Sequence, residues 1–161
     1  MGICNSIVSS EQLFVPSETM VMPCTLDRFK SAAQTYWSAM HQMTLTLHDV
    51  PTSEQIDNVW KWLVYFGLVI PCAHCGSHWQ HMFHRLGRHR SMLMRTRNHA
   101  VSFMFEMHNL WNLNRHRAVF EWADFVDMYK ITNSDRVKYI PTLRTVTRID
   151  LLVINEHTCC K

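Results

Sequence analysis

Between Trp60 and Trp79 the chain reads WKWLVYFGLVIPCAHCGSHW, an apolar run halted by Pro71 and followed at once by Cys72-Ala-His-Cys75. A proline is tolerated in the first turn of a helix but breaks its interior, so Pro71 predicts that one helix ends and another begins there. Both cysteines then fall in the first turn of the new helix. The unpaired N–H groups and the positive end of the helix dipole favour thiolate over thiol at that place, which lowers the cysteine pKa and makes the pair reactive. The rest of the chain is thereby constrained to be a helical frame for a dithiol. A second chemistry shares the signature, because His74, His78, His81 and His84 follow closely and Cys/His clusters are what zinc selects. A zinc-binding Cys/His interaction module therefore stays open beside a redox site.

The chain has 161 residues and is 47% hydrophobic, enough for one folded unit with a sizeable core. Its cysteines, at positions 4, 24, 72, 75, 159 and 160, are too few and too clustered for a small secreted disulfide scaffold. Near the start, Ile7-Val8 and Leu13-Phe14-Val15 are separated by polar residues, so a continuous signal-peptide core is missing. The longest apolar run, Trp62 to Ile70, is about half of what a bilayer span requires. These features predict an intracellular, non-secreted chain, a setting in which an isolated C-x-x-C is more often catalytic than structural. Charged residues make up 18% and the net charge is +3. Arg85, Arg88, Arg90, Arg95 and Arg97 are spread around a predicted loop, so a solvated connection explains them and nucleic acid is not predicted as a partner.

Residues 1–24 show no helical or strand period and read as a mobile arm. From Leu26 the pattern turns helical: Leu26, Phe29, Ala33, Trp37, Met40, Thr44 and Leu47 recur at steps of three and four as far as Asp49. Trp37 and His41 share one face of this helix, either as a core pair or as part of a ligand site. Thr52-Ser-Glu-Gln55 has the form of a capping box, predicting a helix from Ser53 to the proline with Ile56, Val59, Trp60, Leu63 and Val64 buried. The helix after the cysteines is expected to stop at Gly87, leaving a polar, basic connection. A fourth helix over Thr96 to Asn114 carries His108 and Asn112 four apart on an otherwise apolar face, a polar pair that calls for partners. Those partners are either each other and the backbone or a bound ligand. Phe120, Trp122, Phe125 and Tyr129 follow in a short aromatic segment that reads as a lid. Residues 131–161 contain a β-prone stretch at Thr145-Val146-Thr147 and end near Cys159-Cys160. Several short-linked amphipathic helices predict an all-α antiparallel bundle, a fold that places cofactors among side chains on facing helices.

Three ordered motifs in this frame resemble those of the Erv/ALR family of FAD-linked sulfhydryl oxidases. The family's W-x-x-L-H is matched by Trp37-Ser-Ala-Met-His41, its P-C-x-x-C by Pro71-Cys72-Ala-His-Cys75, and its H-N-x-V-N by His108-Asn109-Leu-Trp-Asn112. His78-Trp79 stands where the family has H-F, Arg117 where it has a lysine, and Phe120 on its phenylalanine. Gln34 and Phe103 depart from the pattern, and no cysteine lies between Cys75 and Cys159, so the family's extra structural disulfide is not expected. The departures and the short length resemble versions carried by large DNA viruses.

The resemblance implies a four-helix bundle with a short fifth helix, dimerised, over residues 25–130, flanked by the arm and an irregular extension from 131 to 161. It implies FAD as cofactor, a protein dithiol or thioredoxin-like substrate, and molecular oxygen reduced to hydrogen peroxide. Cys72 is implied as the exchange cysteine and Cys75 as the sulfur nearer the flavin. Trp37, His41, His78, Trp79, His108, Trp111 and Asn112 are implied to pack or hydrogen-bond the cofactor. Arg117 offsets its pyrophosphate charge, and Phe120 and Trp122 close the pocket. No metal is implied. Separately, Met1-Gly2-Ile3-Cys4-Asn5-Ser6 fits the N-myristoylation pattern, with chance agreement as the rival reading. Cys4 is placed for a second acyl chain, and two chains give stable membrane attachment where one does not.

Overall fold

The computed structural model describes residues 26–143, with side chains from residue 32 onward. The arm with Gly2 and Cys4, the stretch around Thr145 and the Cys159-Cys160 pair lie outside the described residues. Every regular element among the described residues is helical: α1 (Leu26–Leu45), α2 (Ser53–Phe66), α3 (Ala73–Leu86), a single turn α4 (Arg90–Leu93), α5 (Arg97–Leu113) and the short α6 (Trp122–Met128). Helix α1 lies against α5 and α2 against α3, forming the four-helix bundle, with α6 as the short additional helix. No helix of the described residues is long and apolar enough to cross a membrane.

The capping box at Thr52 forms: its side chain accepts from Gln55 N–H, and the Gln55 side chain accepts from Thr52 N–H. Ile56, Trp60 and Leu63 of the predicted stripe are buried, while Val59 and Val64 are half-buried. The helix does not run to Pro71, however. It ends at Phe66, and residues 67–69 form a tighter 3-10 turn before Ile70 takes extended backbone. The residue before a proline is driven out of the α region, so helix geometry fails one step ahead of the ring. A close approach at the same place fixes the elbow. A Cβ at Gly76 in the first turn of α3 would drive into the Gly67 carbonyl oxygen, so the two backbones meet where only glycine fits.

Two further ends differ from the periodicity. Helix α1 stops at Leu45 rather than near Asp49, where Thr44 and Thr46 turn their hydroxyls onto the carbonyls of His41 and Met43. The connection after Gly87 is not a polar loop but a 3-10 turn and α4. Leu93 and Met94 are buried, and Arg90 Nε donates to Asp57 at 2.7 Å. Two consecutive apolar residues in a basic stretch anchor it to the core.

Beyond α6 the chain runs back as an irregular strap along α5 in the same direction as the helix. Lys138 N–H donates to Asn98 Oδ1, Ile140 N–H to Ser102 Oγ, and Thr142 N–H to Glu106. The register has a simple cause. Two extended residues advance about 6.6 Å and four helical residues about 6 Å, so every second strap amide meets every fourth helix side chain.

Candidate active site

Cys72 is the N-cap of α3, with Cys75 in its first turn, so the first cysteine sits one position earlier than the helix period suggests. The two sulfurs are joined in a disulfide with a Cα–Cα separation of 5.2 Å, an ordinary value for a bridge. Cys75 N–H donates to Cys72 Sγ at 3.3 Å, one of the N-terminal amides that an α-helix leaves unsatisfied. Both cysteines are buried. His74, His81 and His84 point from exposed positions on α3, and among the described residues no three His, Cys, Asp or Glu side chains converge as a metal site would require.

Three tryptophans from three helices share the buried core cluster with the disulfide. Trp37 of α1, Trp79 of α3 and Trp111 of α5 meet edge to face at centroid distances of 5.7, 6.5 and 5.6 Å. Trp79 is almost completely buried, and its Nε1–H donates to the Leu63 carbonyl at 2.6 Å, in the last turn of α2. It therefore caps one helix while packing another. His78 lies parallel to Trp111 at 5.8 Å.

A second group lies between α1, α5 and α6. Trp37 stacks on His108 at 4.1 Å with the planes 5° apart, and His41 Nε2 lies 3.1 Å from His108 Nδ1. His41 is fully buried. Burial, and then the neighbouring His108, push its pKa from 6.5 down to about 3. His108 is pushed down to about 4 by burial and then by the Arg117 guanidinium. The pair is thus neutral at pH 7, one ring donating and the other accepting. His41 Nδ1 is buried without a hydrogen-bond partner among the described residues. Phe125 and Tyr129 of the α6 region close against His41 at 5.0 and 5.2 Å.

The remaining residues named from the sequence fall at the margin. Phe120 meets His108 edge-on at 4.8 Å. Trp122 belongs to the aromatic group of Phe105, Phe125 and Tyr139. Arg117 is exposed, its N–H held at 2.9 Å by the carbonyl of Asn112, which is itself buried at the end of α5.

Residues the sequence did not single out also matter. Asn109 clamps the backbone of Phe120 twice, its Nδ2 donating to the Phe120 carbonyl at 2.9 Å and its Oδ1 accepting from Phe120 N–H at 3.1 Å. Its place inside the H-N motif was the available signal. Arg115, in the basic turn that follows α5, donates from Nη2 to Cys75 Sγ at 3.3 Å.

The family model for the Erv1 / Alr family matches residues 34–130, a span that holds both histidines, both cysteines and the three tryptophans. The fold is similar to the crystal structure of the yeast Erv1 core, with a TM-score of 0.53 and 18% identity over 75% of this chain and 97% of that one. At such identity the likeness concerns the fold. No protein of curated function matches the chain at a significant level. With well over half its length matched by the family model, the chain belongs to the Erv1 / Alr family and is, with it, a thiol oxidoreductase.

Proposed function

We propose that the chain is a FAD-dependent thiol oxidase that forms disulfides in protein dithiols. The observation that carries this reading is the Cys72–Cys75 disulfide at the start of α3, buried with Trp37, Trp79 and Trp111 in one core cluster. The residues present fit a flat heteroaromatic group with polar edges. Aromatic faces come from Trp37, His108 and Trp111, and His41 Nδ1 is a buried polar atom in want of a partner. On this reading Trp37, His41, His78, Trp79, His108, Trp111 and Asn112 hold the ring and adenine, Arg117 faces the pyrophosphate, and Phe120 and Trp122 close the site. The chemistry FAD supplies when bound is acceptance of an electron pair from the reduced dithiol and its delivery to molecular oxygen, giving hydrogen peroxide.

The chain's own part is thiol–disulfide exchange. A substrate thiolate attacks Cys72, whose sulfur lies at the helix start and receives the Cys75 amide. The neutral His41–His108 pair presents one hydrogen-bond donor and one acceptor in a dry pocket without adding charge.

The test is oxygen consumption by the purified full chain with dithiothreitol. The protein should be yellow, turn over, and lose turnover to background in Cys72→Ser and in Cys75→Ser while keeping its colour. A colourless inert protein, or full turnover in either variant, overturns the reading.

A further inference from the structure

The two sulfurs of the disulfide have different donors. Cys72 Sγ accepts from a neutral backbone amide, whereas Cys75 Sγ accepts from the guanidinium of Arg115 at 3.3 Å. That guanidinium is held from two sides. It lies 4.0 Å over the face of the Trp111 ring, a cation–π geometry. Its backbone is fixed by the end of α5, where Arg115 N–H donates to the Asn112 carbonyl at 3.0 Å and His116 takes a left-handed φ of 52° that reverses the chain. A half-buried arginine is thus carried to one particular sulfur by the helix terminus.

Resting on the thiol oxidase reading, we infer that Arg115 is a catalytic residue of the exchange step: it stabilises Cys75 as the leaving thiolate and so directs the incoming thiolate to Cys72. In the step, a substrate thiolate forms a sulfur–sulfur bond to Cys72 while the Cys72–Cys75 bond breaks and its electron pair leaves on Cys75 Sγ, beside the guanidinium. The second substrate thiol, its proton released to solvent, attacks the substrate sulfur of the mixed disulfide and frees Cys72 as a thiolate. The substrate dithiol is oxidised by two electrons and the Cys72–Cys75 pair is reduced by two. Exchange is faster when the leaving thiol has the lower pKa, and a charged donor favours a thiolate more than a neutral amide does. Attack at Cys75, expelling Cys72, lacks the cation and is the slower course.

The experiment compares Arg115→Leu, Arg115→Gln and Arg115→Lys with the wild type in the full chain as purified. The first readout is the anaerobic equilibrium of the Cys72–Cys75 pair with glutathione, trapped by alkylation and read by mass. The second is the pH profile of disulfide opening by dithiothreitol in a single turnover. Removing the charge should move the equilibrium about tenfold toward the disulfide, equivalent to about 30 mV. It should also slow opening several-fold, while Arg115→Lys retains most of both. Arg115→Gln keeps a polar but uncharged and shorter side chain, so loss of the charge is still tested if Arg115→Leu fails to fold. An unchanged equilibrium and profile in Arg115→Gln, or equal losses in Arg115→Lys and Arg115→Gln, overturns the inference. A wild-type chain inert toward dithiothreitol and oxygen counts against the oxidase reading alone, because the glutathione equilibrium is read without oxygen or turnover.

Discussion

At the scale of residues, the His41–His108 pair makes stability depend on pH. An unfolded histidine titrates near 6.5, whereas the folded chain holds these two at about 3 and about 4. Above pH 6.5 both states leave the rings neutral and the fold keeps its full stability. As the pH falls from 6.5 toward 4, the unfolded chain takes up protons that the folded chain refuses, so stability falls with pH. The loss by pH 5 should be on the order of 2–4 kcal/mol for the two together. Thermal melts at pH 7 and pH 5 measure it, with His41→Asn/His108→Asn as the control that should flatten the difference. An equal pH response in the double variant would remove the pair as its source.

Among elements, the strap on α5 is the clearest case of a segment fastened by few groups. The Glu106 carboxylate accepts from Tyr139 Oη–H at 2.7 Å, from Thr142 Oγ1–H at 2.6 Å and from the Leu143 N–H at 2.7 Å, besides the Thr142 N–H. Glu106→Ala removes these acceptors from the strap, including those of the buried Thr142, a cost of about 1–3 kcal/mol. Hydrogen exchange should show the amides of Thr142 and Leu143 losing protection while those of α2 keep theirs. A uniform change across the chain would instead make Glu106 part of the global core. Helix α2 is the contrasting element, because its start is secured within four residues: Thr52→Ala should lower stability by about 1 kcal/mol in a denaturant titration and leave the disulfide untouched.

For the whole molecule, the apolar side chains left outside are grouped. Trp62, Tyr65, Leu68 and Val69 are exposed by 40, 63, 59 and 64% along the end of α2 and the turn that follows it. Trp62 and Tyr65, three apart on α2, share a face, Leu68 and Val69 are exposed in the turn that follows, and exposed apolar groups of this kind mark a contact surface. The dimer that the family resemblance implies is proposed to bury this face. Sedimentation should give a dimer for the wild type and a monomer for Trp62→Glu/Tyr65→Glu, and a monomeric wild type would refute the assignment. The N-terminal pattern gives the other whole-chain prediction. Expressed in eukaryotic cells, the full chain should partition to membranes more than Gly2→Ala does, and identical fractions or an unmodified mass would dispose of the acyl anchor.

Residues adjacent in sequence, or repeated at helical steps, declared themselves without any coordinates. The capping box at Thr52, the dithiol after Pro71, the start of α5 at Thr96 and the all-helical bundle all rest on local rules of capping, proline geometry and apolar period. What local rules cannot carry is contact between distant parts of the chain. Nothing in the spacing of Gly67 and Gly76 says that their backbones touch, and that contact fixes the elbow between α2 and α3. His41 and His108, 67 residues apart, are each marked by a motif, but only the packing of α1 on α5 makes them one neutral pair. Arg115 sits in a run that reads as a basic turn. Only the folded end of α5 brings it over Trp111 and onto Cys75, because a side chain's electrostatic role is set by which groups share its low-dielectric surroundings, and those come from elsewhere in the chain.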